Sequence, residues 1–351
     1  MLRVYPYLPP CPGGLEKHVF MLSQEQKAMG LSVAVAFSEG EATSSEDIRV
    51  LGTYKLRAVR PRFLRDAFFY VALILRILSS ERRFDAVHLH GDWSAFVWGR
   101  LIKKVTRSEV LVGTVHGATR KGFGWSYVYR KALEPFDVVL ATGARDAKFL
   151  EKVGVSSVVW QSSGVSKVFN TQARTLFHNR DIDVIVVGNL LPVKNVDFVL
   201  DLAIKMPKRS FRVVGDGPER ERLLKRCSVE SIDNVEFVGS LNSVEVVKML
   251  SRAKLLLSTS FSEGTPTSLL EAMSCGLPVV TSESNDYENL IAEGRNGYVV
   301  KSFDIQIFSA RINSILDSES AWDEISQTNH ALRSTFSWDG VAMRITKLSF
   351  A

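Results

Sequence analysis

The sequence predicts an α/β protein made of two doubly wound, Rossmann-like domains that face a cleft. Three observations carry this. The short apolar run Leu255, Leu256, Leu257 is continuous rather than alternating, the pattern of a strand buried on both faces of a parallel sheet. Helical stretches separate such runs along the whole chain, which is the rhythm of repeated βαβ units. At 351 residues the chain is long enough for about two domains with sizeable cores.

Composition narrows the class without choosing a function. Apolar residues make up 46% and charged residues 23%, ordinary values for a globular protein. Cys11, Cys227 and Cys275 are far apart and form no C-x-x-C pair, so neither disulfides nor structural zinc are expected. The opening residues run into Pro9, Pro10 and Pro12 and lack the form of a signal peptide. The longest uncharged apolar run, Ala67–Leu75, is too short to span a bilayer. The expected location is the cytoplasm. The net charge of +6 favours an anionic partner: nucleotide phosphates, a membrane surface or nucleic acid.

The first strand is expected at Leu2–Tyr7. Gly13-Gly14 then make a turn whose backbone can approach a ligand closely, opening a helix that ends near Gly30. Leu31–Phe37 reads as the next strand. The stretch RPRFLRDAFFYVALILRILSSERR is apolar over most of a helix, with Arg62, Arg65, Arg76, Arg82 and Arg83 around its ends. It suits either a helix packed in the domain or one resting on an anionic membrane. Phe84–His90 and Val110–Val115 read as strands that both finish in histidine, at the edge where doubly wound sheets bind ligands. We read His116 as functional and His90 as a core residue. Arg120, Lys121, Phe123, Trp125 and Tyr127 make either an acceptor loop or a solvated one. Val138–Thr142 and Val158–Trp160 complete the first sheet, and Asn170–Arg180 reads as a linker.

The second domain opens with Ile182–Val187, followed by Gly188 to Lys194. Asp181-Ile182-Asp183 has the D-x-D form of some metal sites, but it precedes its strand and so lies away from the ligand edge. Phe211–Gly215 leads into Gly215-Asp216-Gly217-Pro218. The third glycine of a dinucleotide fingerprint would fall at Arg220, so NAD is not expected. Val235–Leu241 is a further strand.

The most informative stretch is Leu255–Ser282, LLLSTSFSEGTPTSLLEAMSCGLPVVTS. A buried strand ends in Ser-Thr-Ser, and Glu263-Gly264 open a loop. Thr265 is placed as a helix N-cap with Pro266 at the first helical position. The helix carries Leu269, Leu270, Ala272 and Met273 until Gly276 stops it, and Leu277–Val280 starts another strand. A helix start at the carboxyl end of a parallel strand suits a phosphate, with the N–H groups of Thr267, Ser268 and Leu269 available. Glu271 follows Thr267 by four residues on one helical face. Two carboxylates beside a phosphate site are placed to accept hydrogen bonds from sugar hydroxyls.

Glu263 and Glu271 have the E-x7-E spacing of the retaining glycosyltransferases of the GT-B fold, and EAMSCGLPVV is similar to that family's helix-to-strand continuation. The likeness to this group 1, family 4 type covers nearly the whole chain. It implies domains at 1–168 (acceptor side) and 169–336 (donor side), with a closing helix at 337–351 that returns to the first domain. It implies metal-independent transfer, with retention of anomeric configuration, from a UDP- or GDP-sugar to a glycan or lipid-linked acceptor, without nucleic acid as a partner. Gly13 and Gly14 resemble the family's P-x-x-G-G-x-E segment facing the donor diphosphate, and His116-Gly117 the histidine that contacts the donor sugar. Gly215 and Gly217 resemble its G-D-G-P turn near the nucleotide, and Leu241 ends the strand that cradles the base. By the same resemblance, Glu271 would hold the ribose hydroxyls and Glu263 those of the donor sugar. Lys194, with N–H groups of Gly14, Ser268 and Leu269, would stabilise the departing diphosphate.

Two positions depart from the family pattern. G-R-x-x-x-x-K is matched at Lys194, but Asn189 replaces the arginine that would hold the leaving phosphates bidentately. Such a contact is worth about 2.7–4 kcal/mol of transition-state stabilisation. Thr265-Pro266 replaces an aromatic-Gly pair and removes a backbone donor near the sugar. Asn189 therefore keeps a second reading open, a catalytically weak nucleotide-sugar-binding or partner protein of the same fold.

Overall fold

A computed structural model describes residues 1–11, 14–50, 62–80, 82–116, 124–261, 267–283 and 290–350, without the side chains of residues 62, 63 and 65. Gly13, Gly117, Glu263, Thr265 and Pro266 lie outside the described residues, as do Arg120, Lys121 and Phe123. The chain divides into two compact units, Met1–Gly164 with Trp338–Ala351, and Val165–Ser337.

The first unit carries strands β1 (Leu2–Val4), β2 (Ala34–Phe37), β3 (Ile48–Arg49), β4 (Ala86–Gly91), β5 (Val110–Val115), β6 (Val138–Ala141) and β7 (Val158–Trp160). They pair in parallel in the order β3-β2-β1-β4-β5-β6-β7. The order reverses between β1 and β4, so the first crossover helices diverge there and leave a crevice at the strands' carboxyl ends. One face of the sheet, with Val87, Leu89, Leu111 and Val139, packs on Phe69, Tyr70, Leu73 and Ile77 of helix Arg62–Ser80 and on Tyr129 and Leu133 of helix Trp125–Leu133. On the other face, Val112 and Leu140 meet Leu22 of helix Gly14–Ala28 and Trp338, Val341 and Ile345 of the closing helix Trp338–Phe350. Trp338 presses so closely on Gly164 that any Cβ there would collide with the indole.

The second unit carries β8 (Ile182–Val187), β9 (Phe211–Val214), β10 (Val235–Gly239), β11 (Ala253–Ser258), β12 (Val279–Ser282) and β13 (Gly297–Val300). Its parallel order is β10-β9-β8-β11-β12-β13, with the reversal between β8 and β11. The core gathers Val184, Leu255 and Leu257 against Val199, Leu202, Phe308, Ile312 and Trp322. The indole of Trp322 donates to the carbonyl of Lys254 at 2.6 Å.

Three expectations need correction. The first strand stops at Val4, because Pro6 has no N–H for a continuing ladder; Tyr7 returns only as an isolated bridge to Glu39. The second starts at Ala34 rather than Leu31, whose N–H is used by Gln26 O in closing the preceding helix at Gly30 (φ 88°). Asn170–Arg180 is not a free linker. Arg180 is buried, stacks on Trp322 and donates to the carbonyls of Leu250 and Ala253, the C-terminal end of helix Ser243–Arg252. Burial lowers its pKa to about 10.

Candidate active site

In the second unit, the pocket at the reversal point is built by two loops at the carboxyl edge. After β8, Gly188-Asn189-Leu190 runs into a 3-10 turn at Pro192–Lys194, and Asn195 takes a left-handed conformation (φ 50°) before helix Val196–Lys205. After β11, Ser258, Thr259 and Ser260 lead toward helix Thr267–Ser274. These segments are tied together: the Thr259 hydroxyl lies 3.1 Å from the carbonyls of Lys194 and Asn195, Phe261 N donates to Val193 O at 2.8 Å, and Ser282 Oγ donates to Ser260 O at 2.7 Å. The pocket is lined by Gly188, Asn189, Lys194, Ser258, Thr259, Ser260 and Ser268, among others. A lysine, several hydroxyls and the start of a helix thus share one cavity, a donor set that matches a phosphate.

The loop after β9 forms the neighbouring wall by direct backbone contact. Leu190 N donates to Asp216 O at 2.9 Å and Glu219 N to Leu190 O at 3.1 Å. Gly215 (φ 140°) lies where any Cβ would overlap Gly188 O, so only glycine lets these two loops meet. At the opposite edge, Asp181 pairs with Arg252 (2.9 Å) and Asp183 with Lys254 (3.0 Å). The D-x-D carboxylates are consumed by ion pairs at the amino ends of the strands, as their position in the sequence suggested.

In the first unit, the carboxyl edge at the β1–β4 reversal holds histidines. His88 and His90 lie on one face of β4 with rings stacked at 4.1 Å. His18, on helix Gly14–Ala28, and His116, just after β5, complete the cluster, their centroids 5.0 Å apart. His88 Nε2 lies 2.7 Å from Thr114 Oγ1, and His18 Nδ1 lies 2.8 Å from Ser163 Oγ. Burial drives all four well below the usual imidazole range, His116 to about 3, so they are neutral at pH 7.

Residues 169–331 match the model of "Glycosyl transferases group 1", and residues 12–166 that of "Glycosyltransferase Family 4". The chain belongs to the group 1, family 4 glycosyltransferases. An uncharacterized glycosyltransferase of Methanocaldococcus jannaschii is 21% identical over 98% of this chain and 95% of its own. The gpi3 subunit of the Schizosaccharomyces pombe phosphatidylinositol N-acetylglucosaminyltransferase is 24% identical over 97% of this chain and 78% of its own length. Among solved structures, Anabaena HepE in complex with UDP and glucose superposes with a TM-score of 0.72 at 17% identity, covering 99% of this chain and 98% of that one. The fold is GT-B.

In this glycosyltransferase the sequence-predicted residues fall as follows. Asn189, Lys194 and Ser268 meet in the reversal-point pocket, and Gly215 and Gly217 hold the wall beside it. Thr267 is exposed at the helix start, and Leu269 is fully buried, so its backbone alone is offered to a ligand. Glu271 is half-buried one turn along that helix and is not among the residues lining the pocket. Leu241 is half-buried beyond β10. Gly14 and His116 belong to the first unit. Ser258, Thr259 and Ser260 are lining residues to which the sequence reading gave no role; a Ser-Thr-Ser run ending a buried strand at the ligand edge was the available signal.

Proposed function

We propose that the enzyme transfers a sugar from a UDP- or GDP-sugar to a glycan or lipid-linked acceptor, retaining anomeric configuration and requiring no metal on the diphosphate. One observation carries this reading: Lys194 and Ser268, at the start of helix Thr267–Ser274, line one pocket at the strand-order reversal. The first N–H groups of a helix have no intrahelical partner and sit at its positive end. With the Lys194 ammonium they supply positive charge against the negative charge that a departing diphosphate develops, which is the service a divalent ion renders elsewhere. Glu271 holds the ribose hydroxyls, Glu263 and His116 the donor sugar, and Gly13, Gly14 and the Gly215–Gly217 turn admit the nucleotide backbone-first. Support for a UDP-linked donor comes from the HepE complex.

The deciding experiment measures transfer from a panel of UDP- and GDP-sugars, with the anomeric configuration of the product read by NMR coupling. Lys194→Ala should lower kcat by about 10²–10³-fold, the usual effect of removing one preorganised charge donor. Undiminished turnover in that variant, or an inverted product, would overturn the reading. Tight nucleotide binding without turnover by the unaltered protein would favour a catalytically weak binding protein, to which Asn189 in the pocket points.

A lipid-linked acceptor has its own support. Leu64, Phe68, Val71, Leu75 and Leu78 are exposed along helix Arg62–Ser80, spaced four and three apart, while Phe69, Tyr70, Leu73 and Ile77 fill the core behind them. Among the described residues no helix is long and apolar enough to cross a membrane. A stripe of this kind, near exposed Arg76, Arg82 and Arg83, suits lying on an anionic bilayer. Phosphatidylinositol appears in the name of one relative's activity.

A further inference from the structure

We propose that His18, His90 and His116 form a binding site for one divalent transition-metal ion of the zinc class, with a fourth coordination position left open. The ligand atoms of the three residues lie within 4.8 Å of one another. Tetrahedral zinc at about 2.0–2.1 Å draws three nitrogens to about 3.4 Å and leaves rings radiating with centroids about 5 Å apart. The observed centroid separations are 5.0, 5.5 and 5.8 Å, so a small turn of each ring closes the set.

The donor atoms are prepared for this. His18 Nε2, both nitrogens of His90 and His116 Nε2 are out of solvent and have no hydrogen-bond partner. Buried polar atoms are nearly always satisfied, and a shared ligand explains several failures at one point. His18 is already oriented, because Ser163 holds its Nδ1 and leaves Nε2 as the ligating nitrogen. Burial keeps the three imidazoles neutral, so no proton competes for the lone pairs at pH 7. The place also fits: His18 follows β1 and His90 ends β4, on the two strands that flank the reversal.

Chemistry limits what binds. Three neutral imidazoles suit zinc, nickel or copper rather than magnesium, which prefers oxygen. The diphosphate therefore remains the business of Lys194; the two readings share one residue, since an ion on His116 would withdraw its ligating nitrogen from the donor sugar. The positive charge of Arg3 on β1 acts on these rings and opposes a bare dication, so an anionic oxygen as the fourth ligand would offset it.

Titration of the full chain with Co²⁺ and Zn²⁺, without nucleotide or acceptor, tests this. One Co²⁺ should bind with the intense visible absorption of a four- or five-coordinate ion, and Zn²⁺ should displace it. His18→Gln and His90→Gln should each weaken binding more than about 100-fold, beyond the loss of an outer-shell partner, and Ser163→Ala by about 10–100-fold. His178→Gln, on an exposed imidazole, should change nothing. Far-UV circular dichroism reports whether each variant folds; if the histidine variants do not, the cobalt spectrum and Ser163→Ala decide. A spectrum unchanged from aqueous Co²⁺, or equal affinity in a folded His18→Gln protein, overturns the proposal. Transfer activity is not the readout, so failure here leaves the function proposed above untouched.

Discussion

Asn189 is where this chain departs most informatively from the family's phosphate-binding pattern. Its side chain lines the same pocket as Lys194 but carries a neutral amide in place of a planar cation. If a second positive charge limits departure of the diphosphate, Asn189→Arg should raise kcat by about tenfold or more without changing the fold, in the same transfer assay. An unchanged rate would mean that Lys194 and the helix start already suffice. Glu271 makes a complementary case. Because it is half-buried outside the pocket lining, its proposed ribose contact predicts a loss in binding rather than chemistry. Glu271→Ala should raise the nucleotide Kd by more than about tenfold, in line with hydrogen bonds to a charged group worth about 1.5–3 kcal/mol. Calorimetry with UDP and GDP checks this, and an unaltered Kd removes Glu271 from the site.

At the scale of elements, legibility followed the locality of the cause. Val110–Val115 and Ile182–Val187 have the same bounds in the sequence and in the structure, because a mostly apolar run between polar ends determines a buried parallel strand by itself; Val158–Trp160 also matches, although as an edge strand it is only half-buried. Gly276 was legible as a stop for the same reason: it takes φ 74° while Leu277 N reaches back to Ala272 O. The opening strand was overextended because proline acts on the ladder rather than on the apolar pattern. The sequence of helix Arg62–Ser80 suits either burial or membrane contact, and in the structure its apolar residues divide between two faces. Periodicity cannot separate those faces when nearly every position is apolar. The outward face makes a definite prediction. With Phe68 at 57% and Leu75 at 62% exposure, each offers about 1–2 kcal/mol on entering an apolar phase. The double variant Phe68→Glu/Leu75→Glu should lose at least about tenfold in partitioning onto anionic vesicles in a sedimentation assay, with its melting temperature little changed. Equal partitioning would assign the stripe to some other contact.

At the scale of the whole molecule, the two sheets were foreseeable from the alternation of strands and helices, whereas the histidine cluster was not. His18, His88, His90 and His116 come from three segments, and only strand order brings them to one edge. His90, expected in the core, is buried, but nothing local in the sequence marks its nitrogens as lacking partners. That arrangement ties the first unit's stability to pH. All four imidazoles are held below 6.5 by burial, so folded and unfolded chains are equally deprotonated well above that value. As pH falls through 6.5 the unfolded chain takes up protons that the folded unit refuses. Stability must then fall with pH, by up to about 1.4 kcal/mol per pH unit for each such histidine. Hydrogen exchange of β4 and β5 peptides between pH 7.5 and 5.5, corrected for intrinsic rates and with a chelator present, should show protection declining with acid. In His88→Gln the decline should be shallower by about one proton's worth. Protection that is flat across this range would mean the imidazoles reach solvent or accept protons in place, and the dry, neutral cluster would have to be abandoned.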